Sequence, residues 1–221
     1  NGEKLVEQYA KNEYQNTKIY KTCTYDLVLT KNIYENLFDY KYVVFLDEYI
    51  IHHTDLKILN IKFDKEEIYY RELNSFFENI EKFFKLKVII ASHPRSNIEF
   101  NKSKFPKYKV FKGNTVQLVK YSESVILHAS TSINFAVIFS KPILFITTNR
   151  MKISRFDNEL LASWFNRKPL NISKKYYKEQ IIRSFSSEKK YNEQYFKNFI
   201  SPSKDIEFGF KSLIDDILLN K

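Results

Sequence analysis

Apolar residues in this chain follow two patterns. Some form short unbroken runs that stop abruptly at polar residues. Others recur every three or four positions along longer stretches. The unbroken runs are Tyr42-Val43-Val44-Phe45-Leu46, Val88-Ile89-Ile90-Ala91, Ser124-Val125-Ile126-Leu127 and Pro142-Ile143-Leu144-Phe145-Ile146. Their length and β-branched content predict buried strands. Tyr108-Lys109-Val110-Phe111 predicts another strand, and Tyr25-Asp26-Leu27-Val28-Leu29 a short one. Over residues 66–86, Leu73, Phe76, Phe77, Ile80, Phe83 and Phe84 build one apolar stripe, which predicts an amphipathic helix. Shorter helices are predicted over residues 116–121 and 133–139.

Strands and helices thus alternate from about residue 42 to 147. That alternation predicts parallel βαβ units with right-handed crossovers. The strands are apolar throughout, as expected when helices cover both faces of a sheet. The fold class is α/β: a Rossmann-like parallel sheet with helices on both faces, followed by a helical C-terminal tail. In the tail, residues 157–166 and 175–199 read as helical. A final helix over roughly 205–219 places Ile206, Phe210, Leu213, Ile214, Ile217 and Leu218 on one face. Residues 1–41 read as an N-terminal arm or the remnant of a preceding domain, and residues 42–221 as the main domain.

Composition narrows the chemistry. The 221 residues are 43% apolar and 17% aromatic, ample for a packed core. Only 3 are glycine, which excludes a Gly-rich dinucleotide or P-loop fingerprint. A phosphate site must then use side chains and helix N-termini. The net charge of +10 is compatible with nucleic acid, an anionic membrane face or a phosphorylated substrate, but genomic base composition is the plainer explanation. Cys23 is the one cysteine, so there is no intrachain disulfide and no Cys-rich zinc site, and a reducing compartment fits. No apolar run approaches the roughly 20 residues that span a bilayer, and Asn1 to Lys11 are too polar for a secretory signal. A cytoplasmic location is expected. The chain opens on Asn1 rather than Met, as a piece of a longer protein would.

Ligands of open α/β sheets sit beyond the carboxyl ends of the strands. Three polar groups occupy such ends. In His93-Pro94-Arg95, proline ends the strand and fixes the turn. Arg95 can grip a phosphate in a fork, and His93 can donate a hydrogen bond or proton to a leaving phosphate. A surface turn with a solvated arginine explains the same residues equally well. In His128-Ala129-Ser130-Thr131-Ser132, a hydroxyl at the helix start would cap it, leaving backbone N–H groups for an anion. Ordinary capping is the plainer reading, yet three successive hydroxyls exceed what a cap requires. Asp47-Glu48 ends the first strong strand, with His52-His53-Thr54-Asp55 after it. A carboxylate there can serve as general base, sugar-hydroxyl acceptor or metal ligand, or as a local salt bridge. No HExxH-type spacing accompanies the histidines, so no metal is expected. Ser130 lacks the glycines of a nucleophile elbow, and Cys23 carries no catalytic signature.

In the order and spacing of these motifs the chain resembles bacterial GT-B glycosyltransferases, nearest to the sialyltransferase-like and Kdo-transferase-like enzymes of surface-polysaccharide synthesis. His93-Pro94 matches their HP motif. Ser130-Thr131-Ser132 matches their serine/threonine motif, with Ala136 on the helix and Lys141-Pro142-Ile143-Leu144 as the following KP-hydrophobic strand. The resemblance covers roughly residues 42–147. It implies that both motifs contact the phosphate of a CMP-activated sugar, with Arg95 and His128 beside them. It also implies a saccharide or glycolipid acceptor, with no other cofactor. The family's acidic motif ends in glycine and lies in another domain; here Asp47-Glu48 is followed by Tyr49 and belongs to the domain of the HP segment. The chain therefore reads as a nucleotide-binding half or a compact variant, with Asp47 or Glu48 as candidate base.

The expectation is transfer of a CMP-activated acidic sugar, such as sialic acid or Kdo, without a metal. A basic surface would hold the enzyme near an anionic inner membrane leaflet. One alternative is nucleic-acid binding, to which Lys174-Lys175-Tyr176-Tyr177-Lys178 and Lys189-Lys190-Tyr191 lend basic and aromatic residues, without a recognised motif. The other is a non-catalytic, donor-binding half of a larger transferase.

Overall fold

The structure, a computed structural model, describes residues 22–32, 34–52, 58, 65–151, 155–186, 188–202 and 210–219. Its centre is a parallel sheet. Strands β1 (Tyr42–Leu46), β2 (Lys87–Ser92), β3 (Lys109–Lys112), β4 (Ser124–Leu127), β5 (Ile143–Thr147) and β6 (Leu170–Asn171) lie in the order β3-β2-β1-β4-β5-β6. A two-residue strand, β7 (Phe185–Ser186), pairs antiparallel with β5. The chain builds outward from β1 through β2 to β3, returns, and builds the other way from β4. β1 and β4 are therefore the neighbours at which strand order reverses.

Strand alternation sends successive side chains to opposite faces. Val44, Leu46, Ile89, Ala91, Val125, Leu127 and Phe145 pack into one core. That core is closed by α1 (Tyr25–Leu29), α4 (Thr115–Tyr121), α5 (Ile133–Ile138), α6 (Arg155–Ser163) and α8 (Lys189–Tyr195). Val43, Phe45, Val88, Ile90, Ile126 and Leu144 pack into the other, beneath α2 (Glu66–Phe84), α3 (Ile98–Lys104) and α7 (Lys178–Ser184). Burial on both faces is why the strands read as continuous apolar runs.

The structure departs from expectation in three places. Residues 25–29 form helix α1, not a strand. Leu27 is buried and Cys23 joins the same core. Helix α3 follows the His93-Pro94-Arg95 turn and starts from Asn97, whose side chain accepts hydrogen bonds from Glu99 N–H and Phe100 N–H. The stretch 175–199 is divided into α7, β7 and α8, and α8 runs on into a π-helical turn, Phe196–Ile200. The last helix, α9, spans Phe210–Leu219 as expected over the described residues, with Ile214, Ile217 and Leu218 exposed. The predicted N-terminal arm over residues 1–20, and Ile206, lie outside the described residues.

Glycine scarcity leaves a mark on the helix ends. The turn after α5 closes with Lys141 N–H on Ala136 O and Ser140 N–H on Val137 O, placing Ser140 at φ 53°. Asn166 takes the same position after α6. Glycine usually fills this left-handed site, which costs other residues about 1–2 kcal/mol.

Candidate functional site

The register extends beyond the strands and aligns the polar ends. Leu46 pairs with Ala91 on β2 and with Leu127 on β4. One step further, Asp47 is level with Ser92 and His128. A second step brings Glu48 level with His93 and Ala129. Neighbouring strands are about 4.8 Å apart, so these residues share one rim at the point where strand order reverses.

The first of these two rows is tied down within the protein. Asp47 is 6% exposed. Its Oδ2 accepts a hydrogen bond from Asn101 Nδ2 at 2.7 Å and its Oδ1 accepts one from Tyr49 N–H at 3.1 Å. The same Asn101 amide donates to Ser92 Oγ at 2.8 Å. Burial pushes Asp47 up to about 6, against the pull of both bonds. His128 is fully buried. Its Nδ1 is 2.7 Å from Ile146 O and its Nε2 is 3.0 Å from Tyr69 OH. A carbonyl only accepts, so Nδ1 carries the hydrogen and Nε2 accepts from the tyrosine. Burial pushes His128 down to about 4 and keeps it neutral. The expectation that His128 binds a phosphate is corrected: both ring nitrogens are taken, and the ring packs against Phe45 and Tyr69.

The second row lies one residue on. Glu48 is half-buried and its Oε1 accepts a hydrogen bond from Ala129 N–H, which joins the ends of β1 and β4. Burial pushes Glu48 up to about 8; the Ala129 bond opposes this, and the charges of Asp47 and Asp157 add to it. Tyr49 follows at φ 53°, so a tyrosine here adopts the left-handed turn that glycine favours.

His93 is set by its own turn. Its carbonyl accepts from Ser96 N–H at 2.9 Å and Ser96 Oγ at 2.7 Å. Arg95 N–H donates to His93 Nδ1 at 3.1 Å. The neutral ring therefore carries its hydrogen on Nε2. The Arg95 side chain is exposed.

The hydroxyl cluster differs from expectation in detail. Ser132 occupies the cap position of α5, but no hydroxyl caps the helix. Ile133, Asn134 and Phe135 N–H groups donate to the carbonyls of Ser130, Thr131 and Ser132, and Ser132 N–H donates to Ser130 Oγ. Tight turns of this kind satisfy the first amides of a helix. These N–H groups are thus engaged, and an anion here would meet side-chain hydroxyls. Thr131 is exposed, with Ser130 and Ser132 half-buried.

His52 stands against Tyr49 and Phe100, with ring centroids 4.9 Å from each, and its Nε2 is 3.9 Å from Glu66 Oε2. His53, Thr54 and Asp55 lie outside the described residues. Among the described residues, no group of three or more His, Cys, Asp or Glu could hold a metal ion, and no helix is long and apolar enough to cross a membrane. Of the basic–aromatic segments, Tyr176 packs against the core and bonds Asn79 Nδ2, and Tyr191 packs against the other core; Tyr177 is exposed.

Two rim features were missed in the sequence. Asn101 was lost with α3, although Asn97 before Ile98 is a helix-start signal. At the end of β5, Thr147 and Thr148 are buried, and Asn158 on α6 donates to Ile146 O at 2.7 Å, the carbonyl that His128 also reaches. Their signal was the strand end itself, which stops at hydroxyls as β4 does.

No family model matches the chain, and no curated protein matches it. Among solved structures it is similar to the UDP-GlcNAc 2-epimerase of Methanocaldococcus jannaschii, in complex with UDP-GlcNAc and UDP. The two are 12% identical with a TM-score of 0.35; the match covers 86% of this chain and 49% of that one. The chain thus spans about half the length of the protein it matches.

Proposed function

We propose that the chain binds a nucleotide-activated sugar at the β1–β4 rim and transfers the sugar to a hydroxyl acceptor. The finer reading is a CMP-activated acidic sugar, such as sialic acid or Kdo, and a saccharide or glycolipid acceptor. The observation that carries it is the shared rim: Glu48, His93 and the Ser130–Ser132 hydroxyls lie at the ends of three adjacent strands.

In this proposal the Glu48 carboxylate takes the acceptor proton. The acceptor oxygen then bonds the anomeric carbon as the bond to the phosphate oxygen breaks, and CMP departs with the electron pair. His93 Nε2–H, the Arg95 guanidinium and the hydroxyls of Ser130, Thr131 and Ser132 stabilise charge gathering on that phosphate. Asp47, bonded to Asn101 and Tyr49, holds the end of β1. A CMP leaving group carries one phosphate, and charge neutralisation by these side chains suffices for it. The +10 net charge favours an anionic donor and peripheral contact with an anionic membrane, at the cytoplasmic face.

The test is a transfer assay with CMP-sialic acid and CMP-Kdo on a saccharide acceptor, with and without chelator. It is paired with binding of CMP and of a labelled oligonucleotide across a salt series. Chelator-resistant transfer and saturable CMP binding are expected. Tight oligonucleotide binding without CMP binding would favour the nucleic-acid reading and end this one.

A further inference from the structure

A groove of about 540 Å³ lies between α2 and the segment that follows β6. Its size is in the range of small-molecule sites, about 300–1,000 Å³. One wall is a stripe of α2: Arg71, Ser75, Asn79 and Phe83, spaced by four so that they share a face. From Arg71 to Phe83 the stripe is about 18 Å long. The other wall is Ile172 to Tyr176, which leaves the carboxyl end of β6.

The walls are joined at two levels. Ser173 Oγ donates to Glu72 Oε2 at 2.8 Å and accepts from Asn149 N–H at 2.8 Å. Two turns along α2, Asn79 Nδ2 donates to Tyr176 OH at 2.9 Å. Asn171 pairs with Thr147 on β5, and Ile172 N–H donates to Thr147 O at 2.9 Å. The groove therefore starts at the same rim of the sheet, two strand spacings or about 10 Å from β4.

The lining is charged unequally. Arg71, Lys174 and Lys175 are exposed cations. Among the described lining residues Glu72 is the one carboxylate, and it is bonded to Ser173. Glu66 and Glu78 of α2 pair with Lys104 and Lys107 instead. The surplus is two positive charges. Between the cations stand neutral hydrogen-bonding groups: the Ser75 hydroxyl, the Asn79 amide and the Tyr176 hydroxyl.

The aromatic rings here are engaged by the protein. Tyr176 is half-buried, its ring edge-on to Phe76 with centroids 5.5 Å apart. Phe83 is half-buried against the core, and Lys175 Nζ stands 5.2 Å from the Tyr177 centroid. Single-stranded nucleic acid is held by bases stacking on open aromatic faces. Cations interspersed with hydroxyl and amide groups along a groove suit a chain of hydroxyls and carboxylates better.

We propose that this groove binds an acidic oligosaccharide, the extended part of an acceptor whose end lies at the rim. Its carboxylates pair with Arg71, Lys174 and Lys175, and its hydroxyls bond Ser75, Asn79 and Tyr176. The acceptor role rests on the transferase reading; the binding does not.

Tetragalacturonic acid is the probe, and the uncharged tetramer maltotetraose is the control. Calorimetry on the whole chain at low salt should show saturable binding of the first and none of the second. Arg71→Gln and Lys174→Gln, both surface changes, should each weaken binding about threefold. Ser75→Trp, also at an exposed position, should abolish it by filling the groove. Saturating CMP should leave it unchanged. In transfer assays, Lys174→Gln should raise KM for an acidic tetrasaccharide acceptor about threefold with kcat unchanged. No binding of tetragalacturonate, equal binding of maltotetraose, tighter binding of an oligonucleotide, or unchanged affinity in both charge variants would overturn the groove. An unchanged KM would remove its acceptor role. Binding that holds while transfer is absent would sustain the groove and defeat the rim; transfer without groove binding would do the reverse.

Discussion

Asp47 and Glu48 are adjacent carboxylates, and His128 directly precedes the Ala129–Ser132 segment. The structure divides them. Asp47 and His128, in the first row past the strands, are buried and hydrogen-bonded within the protein, whereas Glu48 and His93 are half-buried. Glu48, in the second row, links β1 to β4 through the Ala129 amide and follows the same rim as His93 and the hydroxyls. A step of one residue in an extended chain reverses its face, so adjacent polar residues serve separate ends. On the proposed reading, the first row stabilises the rim and the second row meets the ligand.

If that division holds, second-row changes reduce activity and first-row changes reduce stability. The largest effect is expected at Glu48. Glu48→Gln should lower transfer roughly 10²- to 10⁴-fold, the usual contribution of a general base. The same change should stabilise the fold. A carboxyl whose folded pKa is raised gives stability that is present below the ordinary carboxylate range and lost as pH rises through about 8. Thermal melts at pH 8.5 should therefore show the variant above wild type. Wild-type transfer should rise with pH through about 8, where Glu48 is half ionised, and level off above it; a flat pH profile would contradict its role as base.

His93→Ala should follow, with about a hundredfold loss of turnover, in the range of a single oxyanion donor, and an unchanged melting temperature. Wild-type turnover in that variant would remove His93 from the reaction. Asn101→Leu should do the reverse. It leaves the buried Asp47 oxygen without its donor, at about 1–3 kcal/mol. A lower melting temperature is expected, and a carbon-13 titration should place the Asp47 pKa above its wild-type value. The smallest effect belongs to the hydroxyls: Ser130→Ala with Thr131→Ala should weaken CMP by about tenfold, measured by calorimetry.

His128 gives a pH signature of opposite sign to Glu48. Its folded pKa is depressed to about 4. The stability it contributes is complete above the unfolded value of about 6.5 and is lost as pH falls from there towards 4. Replacing His128 with Gln should remove that acid dependence, and an unchanged acid limb in the melts would place its cause elsewhere.

The sheet was legible in the sequence because strands buried on both faces leave unbroken apolar runs. Residues 25–29 misled because a five-residue apolar run has no readable period, and their burial in α1 is set by the core they meet. β6 and β7 are two residues each and too short to leave a pattern. The ends of β1, β2 and β4 were legible as candidate chemistry because polar groups there interrupt apolar runs. The division within each end was not. Asp47 continues the parity of Val43 and Phe45, whereas Glu48 continues that of Val44 and Leu46, but which helices cover which face emerges only from the fold.

The central claim is that the β1–β4 rim binds the phosphate of a sugar nucleotide, and a crystal structure of the chain soaked with CMP tests it most directly. The account predicts the phosphate within hydrogen-bonding distance of His93 Nε2 and of the Ser130 or Thr131 hydroxyl, beside Glu48. CMP bound away from that rim, or no bound CMP at saturating concentration, would contradict it.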